Sequence, residues 1–191
     1  LHVVDLDAAL GRGDNSVIVS AILDLPGLAV SVGGGVRTTE QIGRLIDAGA
    51  DRVVVGTRAI EDSDWLEQAA AQFPGRLVVA ADVRERQVVT RGWASGSGQG
   101  IGAVLDRLGA LPLAGVLVTA VHQEGRLSGP DLALIADCLA GTTLPVVASG
   151  GITTMEDLRV LGQAGAAAAV LGMALYTGSL DPDTVAREFA A

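Results

Sequence analysis

With 191 residues, 49% of them hydrophobic, and a mean hydropathy of +0.45, the chain can bury a substantial core, and nothing in its length asks for more than one domain, 1–191. A net charge of −9, a pI near 4.5 and scattered arginines exclude the clustered Lys and Arg that a nucleic-acid backbone needs. No apolar run reaches the roughly 18 residues of a membrane span, the start "LHVVDLD" has no basic region ahead of an apolar stretch, and the single Cys138 reads as a buried thiol in a reducing cytoplasm.

In chain order, short aliphatic runs predict buried strands at 1–6, 28–33, 51–56, 76–83, 115–121, 145–150 and 167–172. Helical patterns fall between them at 15–25, 38–49, 62–72, 99–109, 129–140, 153–165 and 181–190. The helices at 38 and 153 each open on paired threonines, a cap signal. Aromatics are only 3%, so Val, Leu, Ile and Ala must build the core, as in strands covered on both faces. Such alternation predicts an α/β fold with a parallel sheet, either open and doubly wound or closed into a barrel.

An internal repeat bears on that choice. Shifted by 116 positions, "GGVRTTEQIGRLIDAGADRVVVG" (34–56) lies on "GGITTMEDLRVLGQAGAAAAVLG" (150–172) without a gap, with about ten of 23 positions identical. Duplicated halves favour a barrel, whose active face is formed by the strand C-termini and the loops that follow them. The seven runs are one short of the eight strands that such a barrel closes with.

Glycines stand at those strand ends: Gly34 and Gly35, then Gly56, in the first half; Gly150 and Gly151, then Gly172, in the second. Missing side chains let backbone N–H groups approach a phosphate, although a tight strand-to-helix turn accounts for any single pair equally well. Two matching sets suggest two phosphates, with Arg37 as an added charged contact or simply an exposed residue at a helix start. Asp5, Asp7 and Asp82 are carboxylates at strand ends, where an acid or base would face a substrate; a helix cap is the competing role for Asp82. Thr119 ends a strand and offers a hydroxyl, or merely packs there. His122 reads as a solvated loop histidine, and Trp93 beside Arg91 either covers a substrate ring or anchors its glycine-rich loop.

The motifs "HVVDLDAALGRGDN", "VGGGVRT", "VVVGTRAI", "TRGW", "VVASGGI" and "LGMALY" resemble, in order and spacing over nearly the whole chain, the phosphoribosylformimino-aminoimidazole carboxamide ribotide isomerases of histidine biosynthesis. "DLDAALGRG", "SGPDL" and "GMALY" look most like the actinobacterial phosphoribosyl isomerase A branch, some of whose members also isomerise phosphoribosylanthranilate in tryptophan biosynthesis. The resemblance implies a (β/α)8 barrel performing a cofactor-free Amadori rearrangement on a small-molecule bisphosphate, with no metal and as a monomer when the barrel is complete. It implies the family's general acid for Asp82, its assisting hydroxyl for Thr119, and its substrate-covering loop for Arg91 and Trp93. Gly34, Gly35, Gly56 and Thr57 then match one phosphate site, and Gly150, Gly151, Gly172 and Met173 the other, with Asp5 and Arg37 as further substrate contacts.

Two departures accompany the resemblance. "TAVHQEG" replaces the family's "TD", basic residue and "DG", putting Ala120 and Gln123 at polar or charged positions. "LHVVDLD" matches the family's second strand, so the first strand-helix unit and its general base are expected to lie outside this sequence. Two other readings stay open: the related cyclase of imidazole glycerol phosphate synthase, against which "RGW" speaks, and a noncatalytic phosphate-binding barrel lacking its base.

Overall fold

A computed structural model describes residues 1–90, 92–93 and 95–189 of the chain. Its elements, in order, are β1 (His2–Val4), α1 (Leu6–Leu10), α2 (Ser16–Leu23), β2 (Ser31–Gly33), α3 (Thr39–Asp47), β3 (Arg52–Val55), α4 (Thr57–Glu61), α5 (Ser63–Gln72), β4 (Leu77–Arg84), β5 (Gln87–Thr90), β6 (Ser95–Gly100), α6 (Ile101–Leu108), β7 (Gly115–Ala120), α7 (Leu132–Ala140), β8 (Val146–Ser149), α8 (Met155–Ala164), β9 (Ala168–Ala169), α9 (Met173–Tyr176) and α10 (Pro182–Phe189).

Seven strands, one from each run expected from the sequence, pair in the order β1-β2-β3-β4-β7-β8-β9, all parallel. His2, Val78, Leu117 and Ala168 line one cavity of about 710 Å³, so the sheet curls until its first and last strands face a common interior. Among the described residues β1 pairs only with β2 and β9 only with β8.

Side-chain alternation divides the core. On β4, Leu77, Val79, Ala81 and Val83 are at most 1% exposed and pack with the helices, while Val78 turns inward to join Val54 and Leu117. The same period carries Asp82 to the inner face at the C-terminal end of β4, and Thr119 opposite it on β7, where the two are paired in register.

The repeat is as plain in the geometry as in the sequence. Thr38 and Gln41 form a capping box at α3, and Thr154 and Asp157 form one at α8, 116 positions later. Gly56 and Gly172 precede the one-turn helices α4 and α9 with nearly the same dihedrals, φ −110°, ψ −112° and φ −117°, ψ −99°.

The β5–β6 hairpin stands where the glycine-rich stretch around Trp93 predicts a loop. It leaves β4 through a turn at Glu85 and Arg86 and pairs Val89 with Asp82. Glycine-rich β6 has no strand propensity of its own and takes its form from β5. Two one-turn helices, α4 and α9, likewise went unread, because five or fewer residues carry no periodicity. So did α1, whose five residues overlap the end of the first strand run.

Candidate active site

The strand C-termini meet the hairpin at one mouth. Asp82, half-buried, accepts a hydrogen bond from the Trp93 indole nitrogen at 2.9 Å and another from the Thr119 hydroxyl. Burial pushes its pKa up, and the two hydrogen bonds offset only part of that rise. Trp93 reaches Asp82 because Gly92 and Trp93 both adopt left-handed backbone, φ +63° and +69°. A β-carbon on Gly92 would lie 3.9 Å from Leu10 on α1, so the hairpin tip spans the mouth from β4 to the loop after β1. Arg91, expected beside Trp93, lies outside the described residues.

Glu124, which sequence reading missed, is an exposed residue of the loop after β7; partial burial first, and then the Asp82 charge, raise its pKa. The signal was its place in "HQEG" five residues after Thr119, and it was hidden by the lack of any pattern linking that loop to β4.

Asp5, expected as a substrate contact, stands in the loop after β1. It is 8% exposed and caps α1, accepting from the Ala8 backbone at 3.0 Å, the Asn15 backbone at 2.7 Å and the Asn15 side chain at 2.9 Å. Burial alone would raise its pKa, but these hydrogen bonds hold it below the ordinary aspartate value. Asn15 also donates to Asp7 at 3.0 Å, so one amide ties both carboxylates into the loop after β1.

The glycine pairs permit close backbone approach. At Gly34, φ +102°, a β-carbon would overlap the carbonyl of Asp5; at Gly35, φ +67°, it would sit 2.5 Å from the carbonyl oxygen of Ala8. In the second half, Gly150, φ +100°, would meet the Ala120 carbonyl at 2.7 Å, and Gly151 the carbonyl of Gly129. Gly56 and Gly172 are open by comparison: the nearest atom to the former would be Ala80 Cβ at 3.9 Å, and the latter has nothing within 4 Å. Thr57 and the 45% exposed Met173 follow them as the first residues of α4 and α9.

Arg37 is exposed, its guanidinium donating to the Ala9 carbonyl at 3.3 Å. Arg58, unremarked in "GTRAI", donates to the Arg37 carbonyl at 3.0 Å, pairs with Asp62 at 3.0 Å and lies 5.0 Å from the centre of the Trp65 ring, bracing the first glycine loop from outside. His122, expected as a solvated loop residue, keeps a 39% exposed side chain in the loop after β7, but its Nε2 lies 3.3 Å from Asp131 and its Nδ1 is buried. Ala120 is 1% exposed in the helix-facing core, and Gln123 accepts from Ser128 at 2.5 Å. Cys138 is fully buried, and burial pushes its thiol pKa up to about 11. No helix among the described residues is long and apolar enough to cross a membrane.

A family model described as histidine biosynthesis protein matches residues 1–181. A relative from Gemmatimonas aurantiaca is 56% identical over 191 residues, covering 100% of this chain and 81% of its own length. Another from Myxococcus xanthus is 58% identical over 193 residues, covering 99% and 80%, and one from Halobacterium salinarum is 42% identical over 180 residues, covering 94% and 74%. All three are named 1-(5-phosphoribosyl)-5-((5-phosphoribosylamino)methylideneamino)imidazole-4-carboxamide isomerase. The chain belongs to the histidine biosynthesis protein family.

Proposed function

We propose that this protein is an aldose–ketose isomerase that performs an Amadori rearrangement on the bisphosphorylated carboxamide ribotide for which its relatives are named. The observation that carries the reading is Asp82, inward-facing at a strand C-terminus, held between an indole and a hydroxyl and kept protonated by burial to higher pH than an ordinary aspartate. Asp82 gives its proton to the ribose ring oxygen as the C1–O bond breaks and the amine nitrogen forms a C1=N bond. A base then takes the C2 proton to give an enolamine, and protonation at C1 with ketonisation at C2 yields the aminoketose, with no change in oxidation state overall.

Asp5 and Asp7 are unsuited to be that base, because Asn15 engages both carboxylates. By resemblance it belongs to a strand ahead of β1 in a closed (β/α)8 barrel whose remaining seven strands are those described. Gly34, Gly35, Gly56 and Thr57 would cradle one phosphate and Gly150, Gly151, Gly172 and Met173 the other, with Arg37 and Arg91 adding charge. Two such cradles suit a bisphosphate better than phosphoribosylanthranilate, which has one phosphate, so the second activity is assigned the weaker turnover. A cytoplasmic monomer acting on this small molecule fits the buried, unpaired Cys138.

Asp82→Asn should bind the bisphosphate within about threefold of the unaltered protein while losing about 10²–10⁴-fold in turnover, the usual worth of a general acid. Steady-state kinetics with calorimetric binding reads both, and unchanged turnover would remove Asp82 from the role.

A further inference from the structure

The turn that launches the hairpin is held in an unfavourable conformation. Glu85 and Arg86 both have positive φ, +50° and +65°, as a two-residue hairpin turn demands, but neither is the glycine or asparagine that adopts it readily. Something outside the turn has to hold it. Arg86 donates to Asp137 at 2.8 Å and to Asp131 at 3.3 Å, both on the edge of α7.

Asp131 has more than one task. Its Oδ1 caps α7 by accepting from the Leu134 backbone at 2.8 Å. Its Oδ2, on a side chain only 17% exposed, receives Arg86 from the hairpin turn and lies 3.3 Å from His122 Nε2 in the loop after β7. That loop begins where Val121 donates to the Val83 carbonyl at 3.0 Å and ends where Gly129 donates to the Gly151 carbonyl at 3.0 Å. One carboxylate oxygen thus joins the two segments that flank Asp82.

We propose that Asp131 is a positioning residue that fixes the β5–β6 hairpin and the loop after β7 in a single arrangement, setting Trp93 over Asp82 and the loop against Gly151. Its kinetic consequence rests on the isomerase reading; its structural consequence does not. With the Asp131 charge removed, Arg86 keeps only Asp137, the strained turn opens more often, and both segments loosen together.

The test is hydrogen exchange on the full chain carrying Asp131→Asn, which caps a helix about as well as aspartate and so spares α7. Amides of 87–100 and 121–129 should both exchange about two- to fivefold faster, the scale of one partly exposed ion pair, with α7 unchanged. Arg86→Gln should loosen the hairpin in the same way, and should add little in the Asp131→Asn background because both break one link. In turnover, KM for the bisphosphate should rise about fivefold with kcat within about twofold. Unchanged exchange in both segments, or fully additive effects of the two variants, would overturn the proposal. If Asp131→Asn disturbs α7 as well, Arg86→Gln alone decides: a hairpin that does not loosen refutes it. Faster exchange in a protein with no isomerase turnover would leave the positioning role standing and refute the functional reading instead.

Discussion

At the scale of single residues, Asp82 combines a cost with a use. Its pKa is raised by burial, so between the unfolded-state value, about 3.9, and the higher folded-state value the folded protein holds a proton that the unfolded chain has lost. Stability therefore falls as pH rises through that window, and the full penalty is present above it. Asp82→Asn, which keeps an acceptor for Trp93 and Thr119, should raise the melting temperature at pH 7 by a few degrees. The gain should shrink as pH drops below the folded-state value; a variant no more stable than its parent at pH 7 would contradict the burial argument. Asp82 and Thr119 were legible in the sequence because period-two alternation and a strand end suffice to place them. The Trp93–Asp82 hydrogen bond was not, since it depends on a hairpin whose second strand, "SGSGQG", carries no strand signal. The capping role of Asp5 was hidden for a related reason: of its three side-chain hydrogen bonds only that from Ala8 is local, and the other two come from Asn15, across a loop with no periodicity.

At the scale of elements, the glycine pairs show how one strand-helix unit seats on the next. Gly34 and Gly150 stand at equivalent positions with matching φ, and each would drive a β-carbon into the backbone of the preceding unit, at Asp5 and at Ala120. Gly34→Ala and Gly150→Ala should each cost about 2–3 kcal/mol or more, combining left-handed strain with a backbone clash. Gly96→Ala, on exposed β6 with nothing within 4 Å of the added carbon, should stay within about 0.5 kcal/mol. Urea titration of the three variants checks this, and equal effects would contradict it. The sequence repeat made this equivalence readable, down to the threonines of both capping boxes. Whether the pairs also bind phosphate was not readable from it, because the same glycines are already required by packing.

At the scale of the whole molecule, alternating strand and helix patterns were enough to expect seven parallel strands, since aliphatic runs covered on both faces leave little ambiguity. The curl of the sheet, and with it the convergence of β4, β7, β8 and the first-half loops on one mouth, comes from the duplicated halves rather than from any one segment. That convergence supports the central claim that the mouth isomerises a bisphosphorylated aminoaldose. The most direct test is to incubate the full chain with the carboxamide ribotide that names its relatives and follow the substrate by carbon NMR. The account predicts loss of the aldose C1 signal and growth of a ketone carbon at C2 at equal rates, abolished in Asp82→Asn. Saturable binding of the bisphosphate with no ketone formed would contradict it and leave a phosphate-binding protein without the chemistry.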